Sequence, residues 1–177
     1  MAEVAVLGAG CFWCVEAVFI QLKGVHAIRP GYCNGIGEDP TYEQVCTGKS
    51  GHAEVIEIEF EPLTLAYNHL LEVFFHCHDP TTLNQQGNDL GTQYRSGIYF
   101  RDAQQEAVAI QVLNSTAQSK LWPNPIVTEI APLATFYPAE QYHHKYYASN
   151  PAQPYCSTVI GPKLAKLRKT HSHLLKV

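Results

Sequence analysis

An apolar run, Val4-Ala5-Val6-Leu7, passes through the small-residue turn Gly8-Ala9-Gly10 into Cys11-Phe12-Trp13-Cys14-Val15-Glu16. Beyond it, Val15, Val18, Phe19 and Leu22 recur at helical spacing. The apolar period changes within a few residues, so a buried strand (residues 3–8) must turn directly into a helix (residues 11–22). That junction dictates how the chain starts to fold, because both elements bury against one core. It also places Cys11 where unpaired backbone N–H groups and the positive end of the helix dipole lie. Both favour a thiolate over a thiol. A thiolate flanked by Phe12 and Trp13 reads as a nucleophile beside an apolar pocket.

The remaining pattern supplies the other layers. Residues 25–32 read as a second strand broken by Pro30, followed by a polar loop over 34–51. Residues 53–60 alternate, with Val55, Ile56, Ile58 and Phe60 among Glu54, Glu57 and Glu59. Tyr67, Leu70, Leu71 and Phe74 follow the i, i+3, i+4, i+7 rule and predict a helix over 64–77, ended by His78-Asp79-Pro80. The polar segment 79–95 has too many turn formers for regular structure, and loops of this length in compact domains are often functional. Residues 96–100 predict a strand. Asp102 and Gln105 predict a capping box for a helix over 102–119, with Ala103, Ala107, Ile110 and Ala117 on one face. Another strand is expected at 126–130, then an aromatic helix-like piece over 140–147 and Pro- and Asn-rich coil. The order β-α-β-β-α-β, then α and β, predicts an α+β, ferredoxin-like split β-α-β two-layer sandwich with additional C-terminal coil and helix. Residues 1–177 are expected to form a single catalytic domain with a flexible tail from about residue 148.

A net charge of −4 with His neutral argues against nonspecific binding to nucleic acid or anionic membrane. The basic cluster Lys163, Lys166, Arg168 and Lys169 reads as a solvated face. No apolar run is long enough to span a bilayer and no signal-peptide pattern opens the chain, so a cytoplasmic setting is expected. Six cysteines, at 11, 14, 33, 46, 77 and 156, are then expected to be buried, catalytic or metal-bound rather than a disulfide framework. Cys46 and Cys77 read as structural thiols. Cys11, Cys14 and Cys156 have suggestive settings.

A cysteine nucleophile needs an acid for the leaving group. Glu54, in Gly51-His52-Ala53-Glu54, has two readings. It is a wet-face carboxylate like Glu57 and Glu59, or it turns into the active end of the sheet, where burial would keep it protonated. Tyr42 and Tyr94, in polar loops, read as packing side chains or as hydroxyl donors. Cys156, among Pro and Asn, reads as an incidental tail residue or as a mobile resolving thiol.

Together, Gly10-Cys11-Phe12-Trp13, Asp39-Pro40-Thr41-Tyr42, Gly51-His52-Ala53-Glu54, His78-Asp79-Pro80-Thr81-Thr82, Gln86-Gly87-Asn88-Asp89 and Gly91-Thr92-Gln93-Tyr94-Arg95-Ser96 resemble the peptide methionine sulfoxide reductases of type A over roughly residues 4–156. The resemblance implies reduction of methionine S-sulfoxide, free or in proteins. Cys11 would attack the sulfoxide sulfur and Glu54 would protonate its oxygen. Tyr42 and Tyr94 would hold that oxygen, Asp89 would organise a water or the loop, and Phe12 and Trp13 would cradle the methyl group. Cys11 would become a sulfenic acid, and Cys156 would resolve it to a disulfide reduced by thioredoxin, with Cys14 as a possible competitor. No cofactor or metal is implied. The chain departs from the family pattern at Gln85, where Arg is usual, at Cys33-Asn34-Gly35, where a Gly-rich turn is usual, and at the variable position held here by Cys14.

Two other readings compete. Cys11-Phe12-Trp13-Cys14 is a C-x-x-C at a strand–helix junction, as in thioredoxin-like dithiol oxidoreductases, although that would leave Tyr42, Glu54, Asp89 and Tyr94 without a task. A zinc-stabilised domain could draw on Cys11, Cys14 and Cys33 or on His76-Cys77-His78, but lacks a second well-spaced pair.

Overall fold

A computed structural model describes all residues 1–177. In chain order the elements are β1 (Glu3–Ala9), α1 (Phe12–Phe19), β2 (Val25–Cys33), α2 (Tyr42–Cys46), β3 (Ala53–Phe60), α3 (Tyr67–Cys77), the short hairpin β4 (Gln85–Gln86) and β5 (Asp89–Leu90), β6 (Ser96–Phe100), α4 (Ala103–Gln118), β7 (Glu129–Pro132), β8 (Tyr137–Pro138), α5 (Tyr146–Ser149) and α6 (Gly161–Thr170). The fold is α+β. Six strands form one mixed sheet in the order β7-β6-β1-β3-β2-β8, antiparallel throughout except for the β6–β7 pair.

Strand alternation divides the core. Ala5, Leu7, Ile56, Ile58 and Phe60 join α1 and α3 in a cluster of 32 buried residues. Val6, Cys33, Ala53, Val55 and Tyr99 form a small second cluster with Phe136 and Leu133 packed against it. Helix α1 is buried nearly all round, because the chain after residue 145 covers the side that the sheet does not. A helix apolar on every side is what such a position demands.

Several sequence expectations are corrected. Pro30 does not break β2: its carbonyl accepts from the Ala139 N–H, so the N–H it lacks would have faced the outer edge, where Pro is tolerated. Residues 34–51 include α2, started by a Thr41–Gln44 capping box. In α4 the four residues expected inside, Ala103, Ala107, Ile110 and Ala117, are all exposed; Gln105, Ala109, Val112 and Thr116 face the core instead. The strand expected at 126–130 runs from Glu129 to Pro132. The aromatic piece at 140–147 splits at Lys145, whose φ of 53° interrupts a helix. Most of the coil expected beyond 148 is helical: a π-helical turn at Cys156–Ile160 runs into α6, burying Cys156, Ile160, Leu164 and Leu167. No helix is long and apolar enough to cross a membrane.

His78 closes α3 against the sheet. Its Nδ1 lies 2.6 Å from the Phe74 carbonyl and its Nε2 2.8 Å from Ser96 Oγ, so it is held neutral. Burial lowers its pKa from 6.5 to about 3. The unfolded chain therefore takes up a proton that the folded chain refuses, and stability falls as pH drops below 6.5. Denaturant unfolding of wild type between pH 6.5 and about 4 should show an excess loss approaching about 1.4 kcal/mol per pH unit that His78→Gln lacks.

Candidate active site

The C-terminal ends of β1 and β2 and the N-terminal ends of β3 and β6 meet at one edge of the sheet, since Ala9 pairs with Ser96 and Cys33 with Ala53. The Gly10–Cys11 turn, the 34–52 loop and the 79–95 loop converge there. Gly10 has φ of 90°, and a Cβ on it would lie 2.6 Å from Cγ of Gln86. Only glycine lets the turn approach the loop this closely. Gln86 holds that loop by receiving the Asp79 N–H at 3.0 Å and donating to the Asp79 carbonyl at 2.9 Å.

Arg95 ties the other loops together. Its guanidinium donates to the carbonyls of Gly51, Thr92 and Asn34 and to Glu129 Oε2, at 2.8–3.2 Å. His52 accepts from the Gly35 N–H at 3.1 Å and reaches the Gly37 carbonyl at 3.0 Å. Glu140 receives the Tyr32 hydroxyl at 2.9 Å and the Tyr42 N–H at 3.0 Å, so it fixes the start of α2, which carries Tyr42.

Within this frame Cys11, Glu54, Tyr42 and Tyr94 come together. Glu54 is 1% exposed and faces the helices in phase with Ile56, Ile58 and Phe60. The nearby Phe12 amide favours its charged form, while Oε2 is buried with no partner. Burial dominates, with Asp89 adding to it, and the pKa rises to about 8. Glu54 is therefore an acid at neutral pH. Tyr42 and Tyr94 are held protonated chiefly by burial.

Cys11 is the N-cap of α1, with φ −54° and ψ 123°. The expected thiolate is not its resting state. The Trp13 N–H favours ionisation, but burial, the Cys14 thiol and the Glu54 carboxyl outweigh it and push the Cys11 pKa well above its ordinary value. The neighbouring Cys14 is shifted the other way, chiefly by Cys11 and then by Lys163. Its Sγ lies 3.6 Å from the Tyr155 hydroxyl, which donates to Asp89 Oδ2 at 2.8 Å. Cys11, Cys14, Asp89, Tyr155 and Lys163 line a cavity of about 330 Å³.

The remaining expected residues are placed differently from the sequence reading. Phe12 is wholly buried and backs Tyr42 and His143 at ring distances of 6.5 and 5.0 Å. Trp13 is half-buried, stacks on Tyr146 at 3.8 Å and donates to Nδ1 of the buried His143 at 3.0 Å. Cys156 is fully buried in the π-helical turn, not on an open coil. Cys46 is exposed rather than in the core. The residues named from sequence as a zinc set do not converge: no group of three or more His, Cys, Asp or Glu is arranged to hold a metal. Sequence reasoning missed Tyr155, Glu140 and His143. For His143 the one available hint was that a half-buried Trp13 needs an acceptor.

A model of the peptide methionine sulfoxide reductase family matches residues 3–175. The chain belongs to the peptide methionine sulfoxide reductase family. The methionine sulfoxide reductase MsrA of Chromobacterium violaceum is 52% identical over 98% of this chain and 99% of its own length. Methionine sulfoxide reductase A of Corynebacterium diphtheriae has a similar structure, with a TM-score of 0.82 and 35% identity over 86% of this chain and 76% of that one. Reduced Mxr1 from Saccharomyces cerevisiae gives 0.80 and 32% over 89% and 91%. Mxr1 has also been solved in complex with Trx2, where it matches at 0.56 and 22% over 82% and 84%.

Glu54 makes a test of the site's electrostatics that needs no substrate. The folded chain keeps a proton that the unfolded chain loses between pH 4.5 and about 8, so this group lowers stability as pH rises through that window. Wild type should lose up to about 1.4 kcal/mol per pH unit there relative to Glu54→Gln, measured by urea unfolding.

Proposed function

We propose that this chain reduces methionine S-sulfoxide, free or in proteins, to methionine. The observation that carries the reading is the buried, unpartnered Oε2 of Glu54 near Cys11, with the protonated Tyr42 and Tyr94 close by. A sulfoxide joins a polar S–O bond to an apolar methyl, so donors must meet the oxygen and carbon surface the methyl. Glu54, Tyr42 and Tyr94 supply the donors. The half-buried Trp13 supplies aromatic surface.

Proton transfer from Glu54 to the sulfoxide oxygen makes the sulfur electrophilic. Cys11 attacks that sulfur and its thiol proton returns to the Glu54 carboxylate. The S–O bond to the methionine sulfur breaks as the hydroxyl passes to the Cys11 sulfur, and the S–S bond just formed breaks with its electron pair returning to the methionine sulfur, leaving methionine and a Cys11 sulfenic acid. This order suits the resting thiol, because Cys11 ionises only as Glu54 gives up its proton to substrate.

For the resolving step, two observations now support Cys14 ahead of Cys156. Cys11 at the N-cap lies outside helical geometry, so its side chain faces the N3 residue, Cys14. Cys156 is fully buried and needs the π-helical turn to open first. Thioredoxin is the reductant we propose for the disulfide, as the Mxr1–Trx2 complex suggests for the yeast relative, and that reducing partner supports the reading of a cytoplasmic setting. The strand order β6-β1-β3-β2, with α1 and α3 as the crossovers, supports reading the fold as a ferredoxin-like sandwich with additions.

Cys11→Ser should release no methionine from a methionine sulfoxide peptide in a single turnover. Glu54→Ala should slow release by about 100-fold, and Glu54→Gln, which keeps a donor, by less. Near-native release by all three would refute the roles. Resolved S and R sulfoxides give a separate check: only the S epimer should turn over, since exchanging oxygen and methyl leaves buried donors unpaired at about 1–3 kcal/mol each.

A further inference from the structure

We infer that Tyr155 is a catalytic residue of the disulfide-forming step, passing the proton of Cys14 to Asp89 as Cys14 attacks the oxidised Cys11. The inference rests on the reaction proposed above and extends it to a residue the sequence did not single out.

The hydrogen-bond directions carry the argument. A tyrosine hydroxyl has one hydrogen, and Tyr155 gives it to Asp89 Oδ2 at 2.8 Å. Toward Cys14 Sγ, 3.6 Å away, only its oxygen lone pairs remain, so the thiol is the donor. The result is a chain with one direction: Cys14 S–H to Tyr155 O–H to the Asp89 carboxylate. The ring is fixed edge-on to Trp13 at 6.0 Å, and Trp13 is itself stacked on Tyr146. All three groups border the cavity that holds Cys11. Tyr155 is held strongly protonated by burial, by both thiols and by Asp89, so it relays a proton without keeping the charge.

The step balances. A Cys14 sulfur lone pair forms the S–S bond and the S–O bond of the Cys11 sulfenic acid breaks. Cys14 sulfur is oxidised and Cys11 sulfur reduced. The Cys14 proton moves to Tyr155 as the Tyr155 proton moves to Asp89. The departing oxygen takes a proton from Glu54 and leaves as water. Solvent then returns the proton from Asp89 to Glu54. No outside oxidant or reductant is needed.

Rapid-quench single turnover with a methionine S-sulfoxide peptide separates the two steps, reading methionine by chromatography and Cys11 by mass spectrometry after dimedone trapping. In Tyr155→Phe, disulfide formation should slow at least tenfold more than methionine release, and dimedone-reactive Cys11 should accumulate. The disulfide rate should also rise with pH where wild type is flat, since hydroxide then removes the Cys14 proton. Asp89→Asn keeps an acceptor for the hydrogen bond but not the proton sink, and should show the same accumulation and pH rise. The inference is overturned if neither variant accumulates sulfenic acid, if both pH profiles stay flat, or if Cys14→Ser forms its disulfide at the wild-type rate. A wild-type enzyme that releases no methionine would instead overturn the proposed reaction.

Discussion

A carboxyl group sealed from water beside a thiol governs this structure. Taking an ionised carboxylate into such a place costs several kcal/mol, and one backbone hydrogen bond to it returns only about 1.5–3 kcal/mol. Glu54 has an oxygen, Oε2, with no partner, and only the nearby Phe12 amide favours its charged form. The group therefore stays neutral at physiological pH. A neutral carboxylic acid can donate, and a tight pocket with one free donor is matched to an oxygen that arrives with the substrate. The same burial keeps Cys11 protonated, so in the proposed reaction the acid and the nucleophile act together rather than one by one.

Holding that pocket in place falls to side chains that bond to backbone. Arg95, His52, Gln86 and Glu140 each clamp loop amides or carbonyls that no strand or helix satisfies. Buried backbone polar groups must find partners, so long loops at an active edge require such clamps. Arg95 serves three loop carbonyls at once with a planar five-donor group, and lysine, with one rotatable ammonium, could not serve them all.

The sequence made some of this legible. The strand–turn–helix junction was visible because an apolar run meets a helical period within a few residues. The fate of Glu54 was also there in principle. It is in phase with Ile56, Ile58 and Phe60, whereas Glu57 and Glu59 are out of phase, so period-two alternation alone separates it from the wet face. Helix α4 was misread because its alanines fall on the solvent side, and small apolar residues mark helix propensity as much as burial. Tyr155 and Glu140 were not legible. Their roles arise where distant segments meet, 66 residues apart for Tyr155 and Asp89 and 98 for Glu140 and Tyr42, and no local period records that. The helical ending was hidden by Pro151 and Pro154, which read as coil but precede the π-helical turn rather than interrupt it.

The two thiols of Cys11-Phe12-Trp13-Cys14 look like a dithiol redox motif, and their division of labour explains why the same spacing can serve a different reaction. In a dithiol oxidoreductase the exposed N-cap thiolate exploits the helix dipole. Here the N-cap thiol faces Glu54 and is buried, so the dipole is outweighed there. Its N3 neighbour lies instead beside the Cys11 thiol and near a lysine, and its pKa is lowered. A substrate that brings its own oxygen needs the first thiol quiet until a proton has been delivered. A sulfenic acid needs the second thiol ready at once, before peroxide or a further oxidant reaches it. The spacing is shared because an N-cap and an N3 side chain always face each other. Which thiol is activated is decided by what the sheet edge and the C-terminal helices place around them.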